Sequence, residues 1–128
     1  MPSRNYQDLI AWQKAMDLAE ATYSATSRLP PDERFGLCAQ MRRAAVSIPA
    51  NIAEGEGRRT DGEFVNQLSV AHGSIRELET HVMLSGRFQF LPSSVTESLL
   101  SQAGEVGRLV NGLANSIEAR RRTGKTNS

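Results

Sequence analysis

The chain predicts an all-α fold, an antiparallel up-down-up-down four-helix bundle, and three observations carry that prediction. Apolar residues recur at three- and four-residue spacing in four separate stretches, the period of one helix face. Aromatic residues make up only 5% of the chain, while Ala, Leu and Ser are plentiful, which suits helices packed through small aliphatic side chains better than a β-sandwich. The segments between the stretches are short and carry Pro, Gly and capping residues, and short connections make successive helices antiparallel neighbours. With 128 residues the chain can bury one core, so one domain is expected.

Leu9, Trp12, Met16, Ala19 and Tyr23 share one helical face and set a first helix at about residues 6–27. RLPPDE stops it, and Pro31-Asp32-Glu33 supplies a preset, acidic first turn to a second helix at about 31–56. Gly57 punctuates the end of that helix. Thr60 and Glu63 then have capping-box spacing and open a third helix at about 61–87, whose apolar face is Phe64, Leu68, Ala71, Ile75, Leu78 and Val82. Gly73-Ser74 within it reads as a close crossing of two helices. After RFQFLPSS, Ser94 and Glu97 form a second possible capping box for a fourth helix at about 94–118, built on Val95, Leu99, Val106, Val110, Leu113 and Ile117. Gly104, Gly107 and Gly112 lie off that stripe, each costing about 1 kcal/mol relative to Ala. Residues 1–118 thus form the bundle, and 119–128 read as a basic, disordered tail without periodicity.

The formal net charge is +1, but the last ten residues hold Arg120, Arg121, Arg122 and Lys125 and no acid. Setting those four aside from the 15 basic residues leaves 11 against 14 acidic ones, a net −3 for the body. Overall charge therefore excludes a strongly basic nucleic-acid binder and leaves only local patches. A single cysteine, Cys38, excludes an intramolecular disulfide and a cysteine-cluster metal site. MPSRNYQDLI does not read as a signal peptide, and no apolar run approaches the roughly 18 residues of a membrane span. A cytoplasmic protein without a membrane partner is expected.

The second helix lacks an ordinary solvent face. Leu37, Met41, Ala44, Ala45, Ile48 and Ile52 form its core side, yet Ala39, Val46, Ala50, Ala53 and Gly57 line the opposite side, where a monomeric bundle usually places charged residues. All five are small or short, so a second backbone could approach, and the stripe is a candidate oligomer interface. A polar row, Gln40, Arg43, Ser47, Asn51, Glu54 and Arg58, runs along one edge between the two apolar stripes. Burial of both neighbouring faces would oblige these groups to pair, and Ser47 with Asn51 and Glu54 with Arg58 stand four residues apart, within reach. Pro49 frees the carbonyl of Ala45 and favours a kink. Two readings of the row follow: side chains that tie up a loosened helix, or a polar pocket at a subunit seam.

WQKAMDL (12–18), GLCAQMRRAAVSIPANIAEGEGR (36–58) and AHGSIRELETHVMLSGRFQFL (71–91) closely resemble the small four-helix-bundle proteins first noticed as products of intervening sequences in large-subunit ribosomal RNA genes. The similarity spans about residues 6–91. It implies an antiparallel bundle assembling as a ring-like homopentamer, with no catalytic residues and a largely undefined biochemical role. A distant branch of the same fold serves as an accessory to reverse transcriptases of retroelements through basic surfaces; the net −3 of this chain's body departs from that pattern.

Arg42, Arg43, Arg58, Arg59, Arg120, Arg121, Arg122 and Lys125 are the candidate nucleic-acid contacts, since a ring would repeat weak phosphate contacts several times. Glu54, Glu56, Asp61 and Glu63 lie among them and can neutralise them in surface salt bridges. Tyr6 and Trp12 offer stacking, though Trp12 falls on the core stripe. His72, Glu77, Glu79 and His81 are of metal-ligand type, but the spacing from Glu77 to His81 differs from the Glu-x-x-His of bundle metal sites, and they read as surface residues. Cys38 has no activating neighbour, and Ser47 lacks a local His and acid. The expectation is a non-enzymatic, cofactor-free scaffold or RNA-associated accessory protein whose partners are itself and RNA or an RNA-handling protein. The alternative is a small-ligand binder or enzyme using the polar row.

Overall fold

The computed structural model describes residues 5–127, with side chains through Gly124. Four helices, α1 (Ile10–Thr26), α2 (Leu37–Glu56), α3 (Asp61–Arg87) and α4 (Ser93–Asn127), hold most of them, and no strand occurs among the described residues. The expected all-α class and four-helix architecture hold.

Helix ends follow local chemistry. A short 3-10 turn, Tyr6–Asp8, is capped by Asn5 and separated from α1 by Leu9 in extended conformation, so the run expected from residue 6 is two pieces. A second 3-10 turn, Pro31–Glu33, precedes α2. Gly36 breaks the path there, and the Leu37 amide donates to Glu33 Oε1 at 3.1 Å. Thr60 Oγ1 accepts from the Glu63 amide at 3.1 Å and starts α3, as the capping spacing predicts. At the far end of α3 the Phe90 amide donates to the Ser85 carbonyl and the Gln89 amide to that of Gly86. This is a Schellman closure, with Gln89 in the left-handed region at φ 62° where glycine is preferred.

The helices form a square. α2 packs on α1 and α3, α4 packs on α1 and α3, and the backbones of the diagonal pairs come nowhere within 8 Å. Neighbours run antiparallel: Ser47 meets Ser74 and Met41 meets Ser85 between α2 and α3, while Thr96 lies by Gly86 and Arg120 by Asp61 between α4 and α3. Leu18, Met41, Ile48, Ile52, Leu68, Ile75, Leu78, Val82, Val106 and Val110 fill the interior. Their burial is the main stabilising contribution, at roughly 1.5–3 kcal/mol for each large side chain before entropy costs.

α1 is rotated from the expected stripe. Ala11, Ala15, Leu18, Thr22 and Ala25 face the core, whereas Met16 and Tyr23 are 39% and 45% exposed. The two stripes differ by one residue, about 100° of helix, and the small set wins because α1 must seat closely against two helices. α4 also departs from expectation, beginning at Ser93, just after Pro92, and running past residue 118 through Asn127. Ala119 and the arginines after it are good helix formers, and Arg120 donates two hydrogen bonds to the Asp61 carboxylate, at 2.9 and 3.2 Å. From the level of Asp61 the helix overhangs the bundle by seven residues, about 10 Å.

The close helix crossing lies elsewhere than expected. A Cβ on Gly73 would meet nothing within 4 Å, but one on Gly55 would stand 2.7 Å from Phe64 Cδ1 and 2.9 Å from Gln67 Cβ. Gly55 is thus the residue that lets α3 fold back tightly against α2.

Candidate interface on the second helix

The core face of α2 is as the periodicity predicts: Met41, Ala44, Ala45, Ile48 and Ile52 are buried, and Leu37 packs partly buried against them. Pro49 is buried within the continuous helix, where its missing amide leaves the Ala45 carbonyl without its usual partner. On the opposite side Ala39 and Ala53 are half-buried, Ala50 and Gly57 are exposed, and Val46 is 46% exposed. Among the described residues no helix covers that side, and Val70, one turn before Ser74 on α3, adds another apolar side chain at 53% exposure.

The polar row divides in two. Ser47 and Asn51 are half-buried and turn inward: Ser47 Oγ pairs with Ser74 Oγ at 2.8 Å, and the Asn51 amide donates to Ser47 Oγ at 2.9 Å and to the Ser47 carbonyl at 2.8 Å. The buried hydroxyl of Ser74 is thereby satisfied, and α2 is pinned to α3 beside the proline. Glu54 and Arg58 turn outward and form the expected four-residue pair at 3.7 Å, both about half exposed, a contact worth little in stability. Gln40 is half-buried, and Arg43 is exposed and makes no hydrogen bond or ion pair among the described residues. Asn51 and Glu54 therefore do not converge on a common point.

One neighbour of this seam is less exposed than the sequence suggests. His81 lies seven residues after Ser74 and four before Ser85, on the α3 stripe that meets α2. Both its ring nitrogens are buried without a hydrogen bond, and Nε2 stands 3.7 Å from Glu77 Oε2. Glu79 belongs to the other flank of α3, paired with Arg76 at 2.9 Å. These carboxylates and histidines do not gather, and among the described residues no group of three or more His, Cys, Asp and Glu could hold a metal ion.

The basic candidates fall into distinct places. Arg42 is held on α1, its guanidinium 4.5 Å above the Tyr23 ring and its Nε donating to Thr26 Oγ1 at 2.8 Å. Arg58 and Arg120 line a cleft of about 170 Å³ with Glu56, Thr60, Asp61 and Phe64, at the end of the bundle where α2 turns into α3. Arg121 belongs to the same end, pairing with Glu118 and lying over Gly62, while Arg59 is exposed in the turn and Arg122 follows on the overhang. The Lys125 side chain lies outside the described residues. Trp12 is half-buried against the core with Tyr6 edge-on at 5.4 Å, so neither ring stands free as a stacking platform. Sequence periodicity finds the stripes and the row. It misses Gly55, the pairing of Ser74 with Ser47 and the burial of the His81 ring nitrogens, because these depend on the register between two helices.

Comparison with known proteins agrees with this architecture. The model of a family described as 23S rRNA-intervening sequence protein matches residues 7–112. A crystal structure at 1.70 Å of a protein of unknown function from the S23 ribosomal protein family of Bacteroides thetaiotaomicron superposes with a TM-score of 0.77. That alignment covers 83% of this chain and 96% of the other at 23% identity, a likeness of fold. No curated protein matches the chain.

Proposed function

Because the chain belongs to the 23S rRNA-intervening sequence protein family, and because α2 presents an uncovered face of small residues, we propose that it is a non-enzymatic cytoplasmic scaffold assembling as a homopentameric ring through α2. In this reading the ring serves as an accessory to RNA or to an RNA-handling protein. The observation that carries it is the stripe from Ala39 to Gly57, with Val46 46% exposed on a helix whose other side is already in the core. An apolar, closely approachable helix face without a partner in its own chain is what a second copy would cover. The ring size rests on the resemblance of the 36–58 segment. For RNA, the support is the gathering of Arg58, Arg59, Arg120, Arg121 and Arg122 toward the α2–α3 end and the α4 overhang, and Arg43 on the polar row. Repeated around a ring, such weak contacts would add by avidity. That Asn51 turns to Ser47 and Glu54 to Arg58 speaks against a small-ligand pocket on the row.

Ala50→Glu places a charge on the exposed stripe, and the expected outcome is a folded, helical protein of lower mass by light scattering. Retention of the native protein on immobilised RNA should weaken steeply as salt rises. Unchanged mass in Ala50→Glu would overturn the interface, and no salt-sensitive retention would overturn the RNA association.

A further inference from the structure

The α3–α4 flank, away from the stripe and the polar row of α2, contains a cleft of about 220 Å³. Its walls carry Arg76 and His72 from α3 and Arg108 from α4, and its lining includes Gly104 and Gly107. Two features set it apart from ordinary helix packing. Gly107 is buried, yet a Cβ there would meet nothing within 4 Å, and a Cβ on Gly104 would meet only the tip of Arg108, at 3.4 Å. These helix-interior glycines therefore serve no close approach of α3; what they leave is open space.

The second feature is the charge. Two guanidiniums border the cleft and one carboxylate, Glu79, stands with them. Glu79 is committed to Arg76 through a single 2.9 Å contact and is itself largely buried, while the Arg76 side chain remains 69% exposed with most of its N–H donors unused. Arg108 makes no hydrogen bond or ion pair among the described residues. Counting Arg76, Arg108 and Glu79, the cleft keeps one uncompensated positive charge. Asn111 and His72 add further polar groups at one end of it.

The geometry points to a phosphate-binding site: the cleft takes one phosphate group, held by the planar donors of Arg108 and Arg76 over the glycine floor. The volume lies below the roughly 300–1,000 Å³ of pockets for whole drug-sized ligands, which fits a phosphate group and excludes an enclosed nucleotide. A free phosphate and a phosphodiester of an RNA backbone offer the same oxygens. The site stands on its own residues and not on the RNA surface proposed above.

Equilibrium dialysis of the full chain against inorganic phosphate, with a single-phosphodiester uridine dinucleotide as competitor, tests it. Saturable binding of one phosphate per chain is expected, weakened at least tenfold by Arg108→Gln and by Gly107→Met, and unchanged by Lys14→Gln on α1, which contributes no residue to the cleft. Arg108 is exposed, so Arg108→Gln should fold even if Gly107→Met does not, and circular dichroism checks both. Displacement by the dinucleotide assigns the site to backbone phosphates, and failure to displace assigns it to free phosphate. Absence of saturable binding, or Arg108→Gln binding as the native protein does, would overturn the proposal.

Discussion

The two flanks of α3 put polar residues to opposite uses. Toward α2, Ser74, Ser47 and Asn51 satisfy one another within 2.9 Å, and Gly55 is pressed against Phe64. Toward α4, Arg108 has no partner among the described residues, and Gly107 opens onto empty space. Where side chains complete each other's hydrogen bonds the chain builds rigidity; where donors are left over beside a gap it leaves room for something else. Glycine marks both flanks, with opposite consequences for substitution.

The largest expected effect comes from disturbing the tight flank. Gly55→Val would force a branched side chain into Phe64 and Gln67 and should destabilise the fold by about 3 kcal/mol in urea denaturation. Ser74→Ala removes one member of the hydroxyl cluster while Asn51 still donates to Ser47, so about 1 kcal/mol is expected in the same assay. On the open flank the sign reverses. Gly107→Ala meets no neighbour and gains helix propensity, so it should raise stability by up to about 1 kcal/mol, seen as a higher melting temperature. The smallest effect belongs to the loop that closes α3: Gln89→Gly relieves the left-handed backbone at φ 62° and should stabilise by about 0.5 kcal/mol. If Gly55→Val and Gly107→Ala shifted stability in the same direction, the contrast between the flanks would fail.

How far the sequence reveals these features depends on their range. Four helices, their order and the double-sided character of α2 follow from periodicity and caps within single segments, and the RRAAVSIPANIAEGEGR stretch points to the family that the comparison establishes. The inner face of α1 escapes because Met16 and Tyr23 are larger and more apolar than the Ala15 and Thr22 that are buried instead. The last turns of α4 escape for another reason. They have no apolar stripe, and what engages them is an ion pair with Asp61, 59 residues away in the chain. The Ser47–Ser74 pair and the opposition of Arg76 and Arg108 likewise need the offset between neighbouring helices, which periodicity alone does not set. Of the candidate site, the stripe and the row were legible as patterns; which of their members turn inward was not.

In the proposed assembly the outer face of α2 is covered by further copies of the chain. Sedimentation equilibrium of the native protein at micromolar concentration tests it most directly. A mass near five times 14.0 kDa is the predicted result, and a single species at the mass of one chain would contradict it.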